Sequence, residues 1–475
     1  MTNHVGGTNH PDAALEIARH VSSIPYQGIP QDAIVVGKKS VMDTVGVILA
    51  GTGAAAGLAQ FDRLVKAEGG NPESSVLGFG GRVPATGAAF INGASSHVLD
   101  YDDTHDGAGS HPSSALVPAL LALAERLGKV DGKDFLAAVA LGHDVFVRLV
   151  STLAPMNHGL QGALSLGGLA VAAGCSRLLG LDAAATFNAL GIAACRSGGT
   201  AQITVGQDSD LRGFYNAFPA REGLVAALLA QRGIGGISDV FEGSQGLFRV
   251  LFRGAYDRDR LLEGLGSTFP ATDLSYKPWP SCRFSHPYID ATLRLVTEHG
   301  IGPQAVESVV LTVGDKSRWL FEPDQVRRRP RTAMDAKFSL PFIVGLTLVK
   351  RDVTLGDFSE RGLADEAVLR LAGRVSYRYD ASFNQDGVPP GEVEVRVTGG
   401  QRWSARVDLP YGNPTNPMAW PALRRKFLDC AASSVRPIPA AGLEQAMEGF
   451  EELEQVNDIG ALIRLLDPDQ RGAMA

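Results

Sequence analysis

Asn-Gly-Ala-Ser-Ser-His-Val-Leu-Asp-Tyr-Asp-Asp-Thr-His-Asp-Gly-Ala-Gly-Ser-His-Pro-Ser-Ser-Ala-Leu occupies residues 92–116 and decides how the rest of the chain is read. It gathers Asp100, Asp102, Asp103, Thr104, His105 and His111 into residues 100–111, with Asp106 as a further acid. Gly107, Ala108 and Gly109 interrupt any helix, and an apolar run begins after Pro112. Titratable groups are thereby placed on a loop at the mouth of two helices, where general acid–base chemistry is often sited. His111 precedes a proline and is biased towards extended backbone, with Ser113 and Ser114 opening the next helix. The free N–H groups of such a helix start can hold an anion, and an adjacent imidazole can move protons near neutral pH.

Outward from this loop the chain is rich in helix. Apolar spacing predicts two helices over residues 13–60, then helices over 113–130, 132–153, 163–180, 182–196 and 217–232. Residues 163–180 are almost free of charge and dominated by small residues, the pattern of a buried central helix that its neighbours approach closely. The texture changes near Ser267. Alternation predicts strands at Val306–Val313, Val375–Tyr379, Glu392–Val397 and Arg402–Leu409, with helices at 286–299 and 336–350. After Pro410 helices return, at 418–432, 441–454 and 459–466. The expectation is a mainly α protein. A large helical domain would span 1–267, a smaller α+β domain 268–410, and C-terminal helices over 411–475 would rejoin the helical body.

A second group, Tyr276-Lys-Pro-Trp-Pro-Ser-Cys-Arg-Phe-Ser-His-Pro, gathers Lys277, Arg283 and His286 on a proline-stiffened loop. Cations there can hold substrate carboxylates. A third, Gly206-Gln-Asp-Ser-Asp-Leu-Arg-Gly-Phe-Tyr-Asn216 with Arg212 in it, is a charged loop between small-residue helices, and His158 and Gln161 sit in another loop before the buried helix. Asp335-Ala-Lys-Phe-Ser-Leu-Pro opens a helix and reads as structural.

Bulk properties exclude other classes. The net charge of −7 and the lack of a basic run beyond Arg327, Arg328, Arg329 and Arg331 argue against nucleic acid as the main partner. No apolar run reaches the roughly 18 residues of a membrane helix. Residues 1–12 lack the apolar core of a secretory signal, so a cytoplasmic protein is expected. Cys175, Cys195, Cys282 and Cys430 show no metal or disulfide spacing. His105 and His111 at i, i+6 form no recognised metal signature, so no metal site is expected.

Together the motifs resemble the MmgE/PrpD family, which includes 2-methylcitrate dehydratase, cis-aconitate decarboxylase and iminodisuccinate epimerase. The matching pieces are Asn92-Gly, His97-Val-Leu-Asp-Tyr-Asp-Asp-Thr, His111-Pro-Ser, Lys277-Pro-Trp-Pro-Ser-Cys, His286, Ala336-Lys-Phe-Ser-Leu-Pro and Gly412-Asn-Pro. The resemblance implies a large helical domain with an inserted α+β lid domain, an active site in the cleft, a homodimer, and no metal or organic cofactor. It places the family's active-site aspartate on Asp100, its threonine on Thr104, its first histidine on His111 and its loop lysine on Lys277. Another family histidine falls on Gln161, with His158 three residues earlier. A family lysine falls on Arg212, which keeps the charge and grips a carboxylate but cannot transfer protons near neutral pH.

The reaction expected first is a dehydration of the 2-methylcitrate dehydratase kind, catalysed by a hydro-lyase: general acid–base β-elimination from a hydroxylated di- or tricarboxylate. His111 would move the proton, with Asp100 and Thr104 orienting it and Lys277 and Arg212 holding carboxylates. Gln161, His158, Arg283 and His286 are the further substrate-binding candidates. The alternatives are an epimerase or decarboxylase on a related polycarboxylate, or an inactive polycarboxylate-binding homologue.

Overall fold

The computed structural model describes residues 10–55, 57–153, 159–205 and 209–469. It is mainly α-helical and divides into two compact units. The first takes the described parts of Met1–Val98, Ser110–Thr272 and Leu423–Ala475; the second takes Leu99–Gly109 and Asp273–Ala422. Among the described residues, no single helix is long and apolar enough to cross a membrane.

The first unit is built around helices Ala85–Ser95, Ser113–Leu127, Gly132–Ser151, Gly162–Leu178 and Ala217–Gln231. Small residues set their spacing. A Cβ on Gly223 would lie 2.5 Å from the Gly168 carbonyl oxygen and 2.5 Å from Val171 Cβ, so the last two helices meet backbone to side chain. A Cβ on Gly174 would lie 2.8 Å from Leu116 and 3.1 Å from the Ala138 carbonyl oxygen. Pro118 lies inside the Ser113–Leu127 helix and has no N–H to give the Ser114 carbonyl. Ser96 Oγ, 2.6 Å away, takes that place. This joins the end of one helix to the start of the next and draws His97 against His111, with ring centroids 4.6 Å apart.

Two buried polar groups hold other parts of this unit. Asp144 accepts from Arg148 Nε and lies 3.1 Å from His20 Nε2. The Arg148 guanidinium also donates to the carbonyls of Leu261, Glu263 and Thr268, tying down the segment that leads out of the unit.

The second unit carries a four-stranded sheet in the order Val375–Tyr379, Val306–Val313, Gly391–Val397, Arg402–Val407. The first pair is parallel and the others antiparallel. Alternation along Gly391–Val397 buries Val393, Val395 and Val397. These pack with Val309 and Leu311 against Tyr288 and Leu295 of the His286–Glu298 helix and Val344 and Leu348 of the Leu340–Lys350 helix.

Three sequence expectations change. The helix expected over 336–350 is two, Ala333–Lys337 and Leu340–Lys350. Ser339 is extended and its side chain caps Phe342 N–H, with Pro341 in the first turn, so the chain restarts there. Two-residue strands that the alternation does not signal also form: Ser74–Ser75 with Arg82–Val83, and Thr104–His105 with Leu274–Ser275. Within the arginine cluster, read from sequence as surface, two members are held by the chain itself. Arg328 donates to the carbonyls of Ala372, Gly373 and Val375, and Arg327 to those of Glu322 and Asp335.

Gly223→Ala overpacks the contact with Gly168 and Val171 and is expected to cost about 1–3 kcal/mol of stability. Urea denaturation followed by circular dichroism measures it; an unchanged midpoint would mean the helices separate without cost.

Candidate functional site

The sequence-predicted residues fall into two clusters, one in each unit. In the second unit, Lys277 is fully buried, and its Nζ donates to Asp100 twice: 2.8 Å to the carbonyl oxygen and 2.7 Å to Oδ1. Asp100 has a positive φ of 51°, a region few residues other than glycine occupy. Burial alone would lower the lysine's pKa. The charges of Asp100 and Asp102 and the Asp100 hydrogen bond outweigh it and hold the pKa above its ordinary value. Lys277 is therefore a fixed cation at neutral pH, suited to a carboxylate or a developing negative charge and unsuited to acting as a base.

Around it the Leu99–Gly109 segment is held at further points. Lys337, also buried, donates from Nζ to the Leu99 carbonyl. The Tyr101 hydroxyl donates to the Pro278 carbonyl at 3.1 Å. Thr104 and His105 pair with Ser275 and Leu274 in the two-residue ladder. Asp106 accepts from Arg283 Nε at 3.1 Å and Nη2 at 3.0 Å, from Ser275 Oγ at 2.7 Å, from Thr104 Oγ1 at 3.0 Å and from Asn413 Nδ2 at 3.2 Å. Burial works to raise its pKa, but the Arg283 charge and these bonds hold the carboxyl below the usual range. Gly412, at φ 90°, lets its own carbonyl accept from Tyr276 N–H; a Cβ there would sit on the Tyr276 carbonyl oxygen.

Several candidates are occupied by structural bonds. Arg283 grips Asp106 and is buried. His286 is fully buried, its Nε2 3.2 Å from the Ser281 carbonyl and its Nδ1 3.3 Å from Arg283. His105 Nδ1 accepts from Ala108 N–H at 2.9 Å. Lys337, which the sequence reading leaves as structural, is by contrast a second buried cation beside Asp100.

In the first unit, His111 is half-buried and stands at a narrow crevice. The crevice is lined by Pro112, Ala115, Phe146, Gly167, Val171 and Asn216, among others. His97 contacts both His111 and Tyr215, the latter at a centroid distance of 4.7 Å. Behind His111, Ser113 Oγ lies 2.9 Å from Nε2 of fully buried His143. Burial pushes that imidazole down to about 3, so His143 is a neutral support at physiological pH. Gln161 serves as a helix cap: its Oε1 accepts from Leu164 N–H at 3.0 Å. Arg212 is half-buried in the short Leu211–Phe214 helix. His158 lies outside the described residues. His143 had no sequence signal beyond its residue type, since it sits in an apolar, alanine-rich helix.

Asp106→Asn is expected to cost about 3 kcal/mol at neutral pH by stranding Arg283. The folded pKa lies below the ordinary 3.8. Stability from the ionised carboxylate is thus fully present above that value and is lost as pH falls through the depressed one. The gap between wild type and variant should therefore narrow on acidification below 3.8. Urea denaturation across pH tests this; a gap independent of pH would refute the charge pairing.

Comparison with known proteins places the whole chain. Residues 15–259 match the MmgE/PrpD N-terminal domain and residues 279–451 the MmgE/PrpD C-terminal domain. The cis-aconitate decarboxylase-like protein oryM of Aspergillus oryzae is 26% identical, over 96% of this chain and 98% of its own length. Cis-aconitate decarboxylase of Aspergillus terreus is 26% identical over 95% of each chain. The Homo sapiens cis-aconitate decarboxylase is 27% identical over 91% of this chain and 90% of its own.

Proposed function

The chain belongs to the MmgE/PrpD family, and we propose that it is a lyase that removes a carboxyl group as CO₂ from a tricarboxylate of the cis-aconitate type. The observation that carries this reading is the similarity to cis-aconitate decarboxylases along nearly the full length of both chains. It favours decarboxylation over the dehydration that the motifs alone put first. The geometry supports it through a buried cation with no role as a base, Lys277, and a half-buried imidazole at a crevice, His111.

The step has simple bookkeeping of atoms. The bond to the departing carboxyl breaks, and its electron pair stays on the carbon skeleton, delocalised into the neighbouring alkene and carboxylate. CO₂ leaves, and one proton is delivered to carbon. In this reading His111 supplies that proton. Lys277, kept cationic and fixed by Asp100, offsets the charge on a retained carboxylate while the electron pair is delocalised. An ammonium has three donors, and the Asp100 bonds occupy two, which leaves one for a substrate oxygen. Arg212 is proposed to hold a further carboxylate.

The test is incubation in D₂O with cis-aconitate, citrate, 2-methylcitrate and iminodisuccinate, read by proton NMR. The expected result is carbon loss from cis-aconitate with one deuteron added per turnover. Alkene formation from a hydroxylated substrate would make it a hydro-lyase, and exchange with inversion an epimerase. Silence across the panel from folded protein would end the reading. His111→Ala is expected to lower kcat by about 10²–10⁴-fold while the protein stays folded; retention of full turnover would remove His111 from the proton-transfer role.

A further inference from the structure

Two lysines from different motifs grip the two peptide planes on either side of Asp100. Lys277 Nζ donates to the Asp100 carbonyl at 2.8 Å and to its Oδ1 at 2.7 Å. Lys337 Nζ donates to the Leu99 carbonyl. Because the peptide bond is planar, the Leu99 carbonyl and the Asp100 N–H turn as one plate about the Asp100 N–Cα bond. The angle of that turn is φ, and at Asp100 it is 51°. Lys337 thus pins the plate whose rotation defines the left-handed conformation, while Lys277 takes the carbonyl on the other side of the same Cα.

Lys337 is joined to the Lys277 loop as well. Its own carbonyl accepts from Cys282 N–H at 3.0 Å. Its side chain is buried, with Nζ 5.4 Å from the centre of the Phe358 ring, whose face favours a cation held out of water. One residue therefore fixes the acceptor segment through its side chain and the donor loop through its backbone. Left-handed backbone is uncommon for residues other than glycine and needs support from its surroundings. Without Lys337 the plate before Asp100 is released to turn towards negative φ, and that turn carries the aspartate's acceptors away from Lys277.

We infer that Lys337 is a positioning residue for the reaction: it holds Asp100 in the left-handed conformation that turns both of its acceptors to Lys277, and so keeps that ammonium in place for the substrate carboxylate. This rests on the role given to Lys277 in the reading above. Lys337 acts through Asp100 and needs no contact with substrate. Its loss is felt most at high pH. Burial pulls the Lys277 pKa down, and Asp100 and Asp102 on the facing segment, with Cys282 on its own loop, hold it above the ordinary 10.5. With Asp100 turned away, burial counts for more and the cation is lost at lower pH. A lysine that acted only as a nearby like charge would do the reverse, since its removal would favour the charged form of Lys277.

Lys337→Met tests this, since methionine fills much of the space and donates nothing. Its crystal structure should show Asp100 at negative φ, with its carbonyl or carboxylate out of hydrogen-bond reach of Lys277 Nζ. Its kcat/KM for cis-aconitate should fall about 10–100-fold at neutral pH. The ratio of variant to wild-type kcat/KM should fall further between about pH 8 and 10; the titration of His111 cancels from that ratio, because both proteins carry it. Lys337→Gln, whose amide falls short of the Leu99 carbonyl, guards against a fault peculiar to methionine and should behave alike. Asp100 still at positive φ in both variants, or a ratio that is constant or rises with pH, overturns the inference. So does a loss confined to Tm, or failure of both variants to fold, which would make Lys337 a structural anchor. The crystal structure needs no substrate. If wild type turns over nothing in the panel, the decarboxylase reading has failed, and the conformation of Asp100 in the variants still decides whether Lys337 sets it.

Discussion

The buried pair of Lys277 and Asp100 is the constraint on which the second unit depends. An ammonium taken wholly out of water without a partner costs several kcal/mol, so Lys277 dictates what its neighbours must be. Asp100 answers with two acceptors from one residue, its carbonyl and its carboxylate, and does so from left-handed backbone at φ 51°. A conformation that would be strained elsewhere is held here by two charge-assisted bonds. Lys337 reaches the carbonyl of the preceding residue, and Arg283 takes Asp106 six positions on. Three cations from two distant motifs thus anchor one short segment, which is why Leu99–Gly109 clusters with residues far along the chain.

The first unit adds a second means. It has buried ion pairs of its own, Asp144 with Arg148 and Asp43 with Lys426, but close approach of helices does much of the work. Glycines at 174 and 223 leave no room for a Cβ, so the helices pack with carbonyls against side chains. Where a proline would strand a carbonyl, a serine from the neighbouring helix fills the gap, and where a histidine is buried it is kept neutral and set against Ser113. The start of the Ser113–Leu127 helix is therefore fixed on two sides, and His111 immediately before it inherits that order.

Much of this was legible in the sequence. The strands at 306–313 and 375–379 and the long helices follow from local periodicity, which reports burial of one face or all faces. Asp100, Thr104, His111 and Lys277 stood out because unlike titratable groups were crowded together between helices. What was not legible depends on pairing at a distance. Arg283 reads as a substrate cation until Asp106, 177 positions away, claims it. Gln161 reads as a substituted histidine until its oxygen is found on a helix end. The domain edge was misplaced at 99–109 for the same reason: no local pattern announces that a loop belongs to strands and lysines far downstream.

The chemistry proposed makes a definite demand on the charge of the second unit's lysine. A tricarboxylate that loses CO₂ has carboxylates of two kinds: those that stay charged and one whose charge moves into the carbon skeleton. Retained carboxylates need cations that do not titrate, and Lys277 is held in that state by its acidic neighbours.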